Sequence, residues 1–133
     1  MLNQIFNHSF WSTHGLLLGR IAVGALFLLA GVTKLNGGIE GTAGMIGGAG
    51  LPMPIVLAWF AALFEVVAGA AIILGKYFKE AAISLAVFTF IITLIFHSPM
   101  DWAANSMAFL KNMAIVGGLL FMGAHGTGNT WRL

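Results

Sequence analysis

The sequence predicts an all-α fold, a four-helix transmembrane bundle, from three observations. Apolar residues make up 59% of the 133-residue chain and charged residues only 8%. A soluble domain carries roughly 25% charged residues, so the main solvent of this chain is lipid. Mean hydropathy is +0.97. The apolar residues also gather into four runs, each of about the 20 residues that a helix needs to cross hydrocarbon. A single integral membrane domain over residues 1–133 is therefore expected.

The elements follow in chain order. Met1 to His14 mixes Asn3, Asn7, His8, Ser12 and His14 with Ile5, Phe6, Phe10 and Trp11. That blend suits a short interfacial helix with its aromatic side dipping into the headgroup zone. It lacks Lys and Arg and the apolar run after it is long, so a cleaved secretory signal is not expected. The first span runs from about Gly15 to Leu35, and Asn36-Gly37-Gly38 stops it. A Gly-rich loop follows. Within it Ile39, Ala43 and Ile46 recur at helical spacing, which predicts a short helix pressed on the bundle mouth, weakened by Gly41, Gly44, Gly47 and Gly48. The second span runs from about Pro54 to Leu74, with Pro54 at a helix start where its missing N–H costs nothing. Gly75-Lys76-Tyr77-Phe78-Lys79 is a tight turn. The third span covers about Lys79 to His97, ended by Ser98-Pro99, and the fourth about Asn105 to Ala124.

Four spans put both termini and the second loop on one side. That side collects Lys76, Lys79 and Arg132, whereas Glu40 and Asp101 lie on the other. The positive-inside rule then places both termini in the cytoplasm of a multi-pass inner-membrane protein.

Charges inside the spans mark a polar site. Glu65 lies near the middle of the second span, and a carboxylate at that depth nearly always faces a partner, a cavity or a pathway. Spacing of three and four residues joins Arg20, Gly24, Phe27, Gly31 and Lys34 on one stripe. A second stripe holds Ala58, Ala61, Glu65, Ala68 and Ile72, with Ala62 and Gly69 beside it. A third holds Ala82, Ala86, Thr89, Thr93 and His97, and a fourth Ala104, Ala108, Lys111, Ile115 and Gly118, with Asn112 one position round. Small residues mark the faces on which membrane helices meet, so these polar groups are expected to point inward. Arg20 and Lys111 are each expected about 8 Å inside opposite membrane edges. Arg20–Glu65 is the expected central pair, because a guanidinium grips a carboxylate bidentately. Lys111 and Asn112 then close the outer end of the column, and Lys34 snorkels to the interface.

Gly19-Arg20-Ile21-Ala22-Val23-Gly24 through Phe27, Gly31 and Lys34-Leu35, then Gly50-Leu51-Pro52, then Glu65 through Gly69 to Leu74-Gly75, and last Phe109-Leu110-Lys111-Asn112 with Gly117-Gly118 resemble the DoxX family of small bacterial membrane proteins. The resemblance spans nearly all of the chain past residue 15. It implies a four-helix bundle in the bacterial inner membrane, with related proteins associated with thiosulfate:quinone oxidoreductase as a membrane subunit and with oxidative-stress complexes.

The chain has no cysteine. Thiol relay, iron–sulfur ligation and cysteine–zinc sites are excluded, and the cysteine pair of redox-associated relatives is missing. No phosphate loop, hydrolytic constellation or metal motif is present, and no catalytic residue is assigned. The net charge of +2 without a basic cluster points away from nucleic acid. His97 and His125 end spans on opposite sides and cannot share a haem, while His14 and His125 share the inner side. Trp59, Phe60 and Phe64 are candidate walls of an apolar pocket.

The expected function is an accessory membrane subunit of a redox or respiratory complex. It is not a complete enzyme alone, and it offers a quinone-accessible pocket around Arg20, Glu65, Lys111 and Asn112. The expected partners are the lipid bilayer and other membrane or redox subunits, or further copies of the chain. Two alternatives stand beside it. One is a stand-alone carrier of small solutes or protons, although no inverted repeat or broken mid-span helix supports it. The other is a structural or assembly protein in which the buried pair only fixes helix register.

Overall fold

A computed structural model describes residues 1–128 and 130–133. The described residues form helices joined by short turns. Two short helices, α1 (Leu2–Ile5) and α2 (His8–Phe10), lead through a wider turn at Trp11–Gly15 into α3 (Leu16–Thr33). Then come α4 (Ile39–Gly48), α5 (Pro54–Leu74), α6 (Phe78–Phe96) and α7 (Trp102–His125). Four helical stretches are long and apolar enough to cross a membrane, those containing α3, α5, α6 and α7.

The breaks fall where the backbone demands them. Asn36 (φ −92°, ψ 56°) and Gly37 (φ 96°, ψ 4°) leave helical geometry, so the chain kinks after α3 and restarts as α4. Pro54 opens α5, and Gly75 ends it at φ 73°, a left-handed cap open to glycine at no steric cost. Ser98 adopts extended geometry before Pro99, as a residue preceding proline must, and its hydroxyl accepts from the amide of Met100 at 3.1 Å.

The helices pack as two pairs. α3 lies along α5, α6 lies along α7, and α5 and α6 join the pairs. α4 lies against α5 at the end away from the termini, called here the loop end; the other is the terminal end. The helix expected from Ile39, Ala43 and Ile46 is therefore present, with Ala43 and Ile46 buried beside Ala58. Phe27, Ala68, Ile72, Ala82, Leu85, Ala86 and Leu119 fill the centre. Large apolar side chains remain widely exposed around the outside, among them Leu29, Leu63, Val67, Val87 and Phe121. In a four-helix bundle that is the lipid-facing belt.

Candidate functional site

Register between α3 and α5 is set by glycine. A Cβ added to Gly31 would lie 2.7 Å from the carbonyl oxygen of Ala62, and one on Gly69 would lie 2.7 Å from that of Gly24. The two backbones touch at both places, and this is how small residues hold membrane helices together. Glu65 lies three residues inward of the Gly31–Ala62 contact, and Lys34 three residues outward. The axial gap between them is about 9 Å, which a lysine and a glutamate together span. The Lys34 ammonium donates to Glu65 Oε2 at 2.8 Å, the one ion pair among the described residues.

Glu65 is 4% exposed, and its partner is Lys34, not the expected Arg20. Two physical reasons decide this. Arg20 lies four residues beyond the Gly24–Gly69 contact on the terminal side, so its gap to Glu65 is about 12 Å. It is also engaged elsewhere. One guanidinium nitrogen donates to Thr130 Oγ1 at 3.0 Å and the other to the carbonyl of Trp131, whose ring lies 5.9 Å away. The C-terminal segment thus doubles back beneath the bundle, with the amide of Leu133 donating to the carbonyl of Leu74 at 2.7 Å. Lys34 accordingly turns into the protein and does not snorkel outward.

The pair opens on a cavity of about 380 Å³ at the loop end. Its walls are mostly apolar: Ile46, Leu57, Phe60, Phe88, Ile92 and Phe96 among others. Its polar groups are Lys34, Glu65, Thr42, His97 and Asn112. The Asn112 side-chain amide donates to Thr93 Oγ1 at 3.1 Å, and that hydroxyl donates in turn to the carbonyl of Thr89 at 2.6 Å. Asn112 thereby ties α7 to α6 with one of its two N–H donors. Phe60 walls the cavity as expected; Trp59 and Phe64 do not.

Of the four residues singled out in sequence, the structure brings Glu65 and Asn112 to one cavity. Arg20 is buried at the terminal end. Lys111 is exposed on the outside of α7, about 14 Å of helical rise from Trp102. The buried face of α7 is offset by one position from the expected stripe, of which Ile115 packs against the core while Lys111 does not. α7 seats on α6 through Leu119 and Gly123, where a Cβ on Gly123 would meet Ile83 Cγ1 at 2.6 Å. Continuing that face outward reaches Asn112, which leaves Lys111 about 100° round the helix. Thr42 and the apolar walls on α6 are cavity residues without a signal in the sequence, whereas His97 lines the cavity from the inward stripe on which it was expected. Lys34 carried a usable signal, since it continues the buried stripe Arg20, Gly24, Phe27, Gly31.

A multi-pass membrane bundle with an intramembrane ion pair facing a side cavity is the class these features define. Its sequence relatives narrow that class. The DoxX family model matches residues 15–98, and the chain belongs to the DoxX family. It is 34% identical over 116 residues to the inner membrane protein YqjF of Escherichia coli (strain K12), covering 86% of this chain and 85% of that protein. It is 32% identical over 118 residues to the inner membrane protein YphA of the same organism, covering 85% and 84%. No solved structure gives a significant match. The relatives and the four apolar helices make this a multi-pass inner-membrane protein.

Proposed function

We propose that the chain is an accessory membrane subunit of a redox or respiratory complex whose loop-end cavity takes a quinone head group. The observation that carries this reading is the Lys34–Glu65 pair at 2.8 Å opening on an apolar cavity of about 380 Å³. Binding sites for small molecules are concave and mostly apolar, with a few polar groups that fix orientation. A quinone matches that division. Its carbonyl oxygens accept from the Lys34 ammonium or the free N–H of Asn112. In the quinol form a hydroxyl donates to Glu65. The ring lies against Phe60 and Phe88.

Phe27, Ala68, Ile72 and Leu85 fill the bundle between this cavity and the terminal end. That packing favours a binding site over a through-pathway, and so over the carrier reading. Cation placement supports an orientation with both termini cytoplasmic, since Arg20, Lys76, Lys79 and Arg132 gather at the terminal end.

The test is photolabelling of the purified protein in lipid nanodiscs with an azido-quinone. The expected result is label on peptides carrying Lys34, Phe60, Phe88 or Ile92, displaced by unlabelled quinone and lost in the double variant Lys34→Met, Glu65→Leu. Label spread evenly over the lipid-facing belt, insensitive to competitor, overturns the cavity. Affinity purification from native membranes without any reproducible oxidoreductase component overturns the subunit role.

A further inference from the structure

A second site lies at the terminal end, separate from the loop-end cavity. Arg20 is 2% exposed, yet no carboxylate lies within 4 Å of it among the described residues. Its two terminal nitrogens meet only a hydroxyl and a carbonyl, and its Nε is buried with no partner. A buried cation without a counter-charge is costly, and an anion from outside the chain would offset that cost.

The surroundings fit such an anion. Arg20 lines an apolar slot of about 130 Å³ with Leu16, Phe121 and Met122. The slot shares Phe78, His125, Gly126 and Thr127 with an adjoining cleft of about 460 Å³, which Lys79, Glu80 and Arg132 also line. The first turn of α6 forms one side of this cleft. Its N-cap, Tyr77, supplies no side-chain hydrogen bond, so the opening amides of the helix stay available. Helix N-termini attract anions through those amides and the helix dipole. Lys79 and Arg132 outweigh the single carboxylate of Glu80. Only an amphiphile places a negative group in the cleft and an apolar chain in the slot at the same time.

We infer that the terminal end binds the phosphate of an anionic phospholipid, held where slot and cleft join, with Lys79 and Arg132 on one side and Arg20, which borders the cleft at Gly75, on the other, and the acyl chain along Leu16 and Phe121. Basic pockets between spans on the cytoplasmic side take such lipids. The same phosphate chemistry could be met by free phosphate in solution, and the experiment separates the two.

Native mass spectrometry of the intact protein, released from nanodiscs of equal phosphatidylglycerol and phosphatidylcholine, reads the preference directly. The wild type is expected to retain phosphatidylglycerol at least about fivefold over phosphatidylcholine. The variant Lys79→Gln, Arg132→Gln is expected to lose that preference. Lys76→Gln removes a neighbouring charge that does not line the cleft, and is expected to keep it. Both sets leave Arg20 and the core untouched; Arg132→Gln gives up one hydrogen bond, to Thr127 Oγ1. Equal retention of the two lipids by the wild type overturns the inference, as does an undiminished preference in the double variant. Capture of inorganic phosphate without any lipid preference assigns the anion to solution and overturns the lipid.

Discussion

Lys34 and Glu65 meet across α3 and α5 because two glycine contacts set the register of those helices, Gly31 against Ala62 and Gly24 against Gly69. The ammonium is partly open to the cavity and the carboxylate nearly closed off, with side-chain exposures of 27% and 6%. Each charge therefore depends on the other for solvation. Lys34→Met or Glu65→Leu alone strands a charge, and each is expected to cost roughly 3 kcal/mol or more. The double variant removes both charges and is expected to recover most of that loss. Unfolding titrations in mixed detergent, arranged as a double-mutant cycle, measure the coupling. Additive losses would show that the two residues do not depend on each other.

Close backbone approach makes a sharper structural prediction. A Cβ on Gly69 would sit 2.6 Å from the amide nitrogen of Leu28, and one on Gly31 would sit 2.6 Å from Val66 Cγ2. Gly69→Ala and Gly31→Ala must push α3 and α5 apart, for an expected loss of about 1–3 kcal/mol each. Among the described residues, a Cβ on Gly19 or Gly117 would meet no atom within 4 Å beyond its own stretch of helix backbone. Gly19→Ala and Gly117→Ala are expected to hold or slightly raise stability, since alanine is the better helix former by about 0.5–1 kcal/mol. Thermal midpoints of the four purified variants in one detergent decide it.

These contacts also explain what sequence could and could not reveal. The buried faces of α3, α5 and α6 were readable because glycine, alanine and threonine recur there at helical spacing, through Gly24 and Gly31, Ala58 and Ala68, Thr89 and Thr93. The partner of Glu65 was not. It depends on which glycine meets which backbone, a tertiary fact no single helix carries. The face of α7 is offset by one residue from the expected one, because Ala104, Ala108 and Gly118 trace a small-residue stripe through Lys111 while Leu119 and Gly123 set the buried face. The return of the C-terminal segment over Arg20 has no periodic signal at all. Thr130 and Trp131 reach it through a hydroxyl and a backbone carbonyl, neither of which composition advertises.

Asn112 and Lys111 are adjacent in sequence and opposite in consequence. Asn112 holds Thr93 across α6 and α7 at 3.1 Å, so Asn112→Ala and Thr93→Val are expected to show a coupling of about 0.6 kcal/mol, the usual worth of such a bond between membrane helices. Lys111 has no carboxylate within 4 Å among the described residues. Lys111→Leu exchanges a charge on the lipid-facing side for an apolar side chain, so it is expected to hold or raise stability and to leave quinone photolabelling unchanged. A large loss of label in that variant would move the cavity to the outer face of α7.

Topology offers the last test, and the absence of cysteine makes it clean. Tyr77, at the terminal end between α5 and α6, is 71% exposed; Met100, at the loop end between α6 and α7, is 93% exposed. Either accepts a cysteine without disturbing the core. If the cations at the terminal end face the cytoplasm, Met100→Cys reacts in intact cells with a membrane-impermeant maleimide added outside. Tyr77→Cys then reacts only after the inner membrane is opened. The reverse labelling pattern would turn the bundle over. It would set Lys76, Lys79 and Arg132 on the outer side, against the charge rule that governs insertion. It would also move the lipid site proposed at the terminal end to the opposite leaflet.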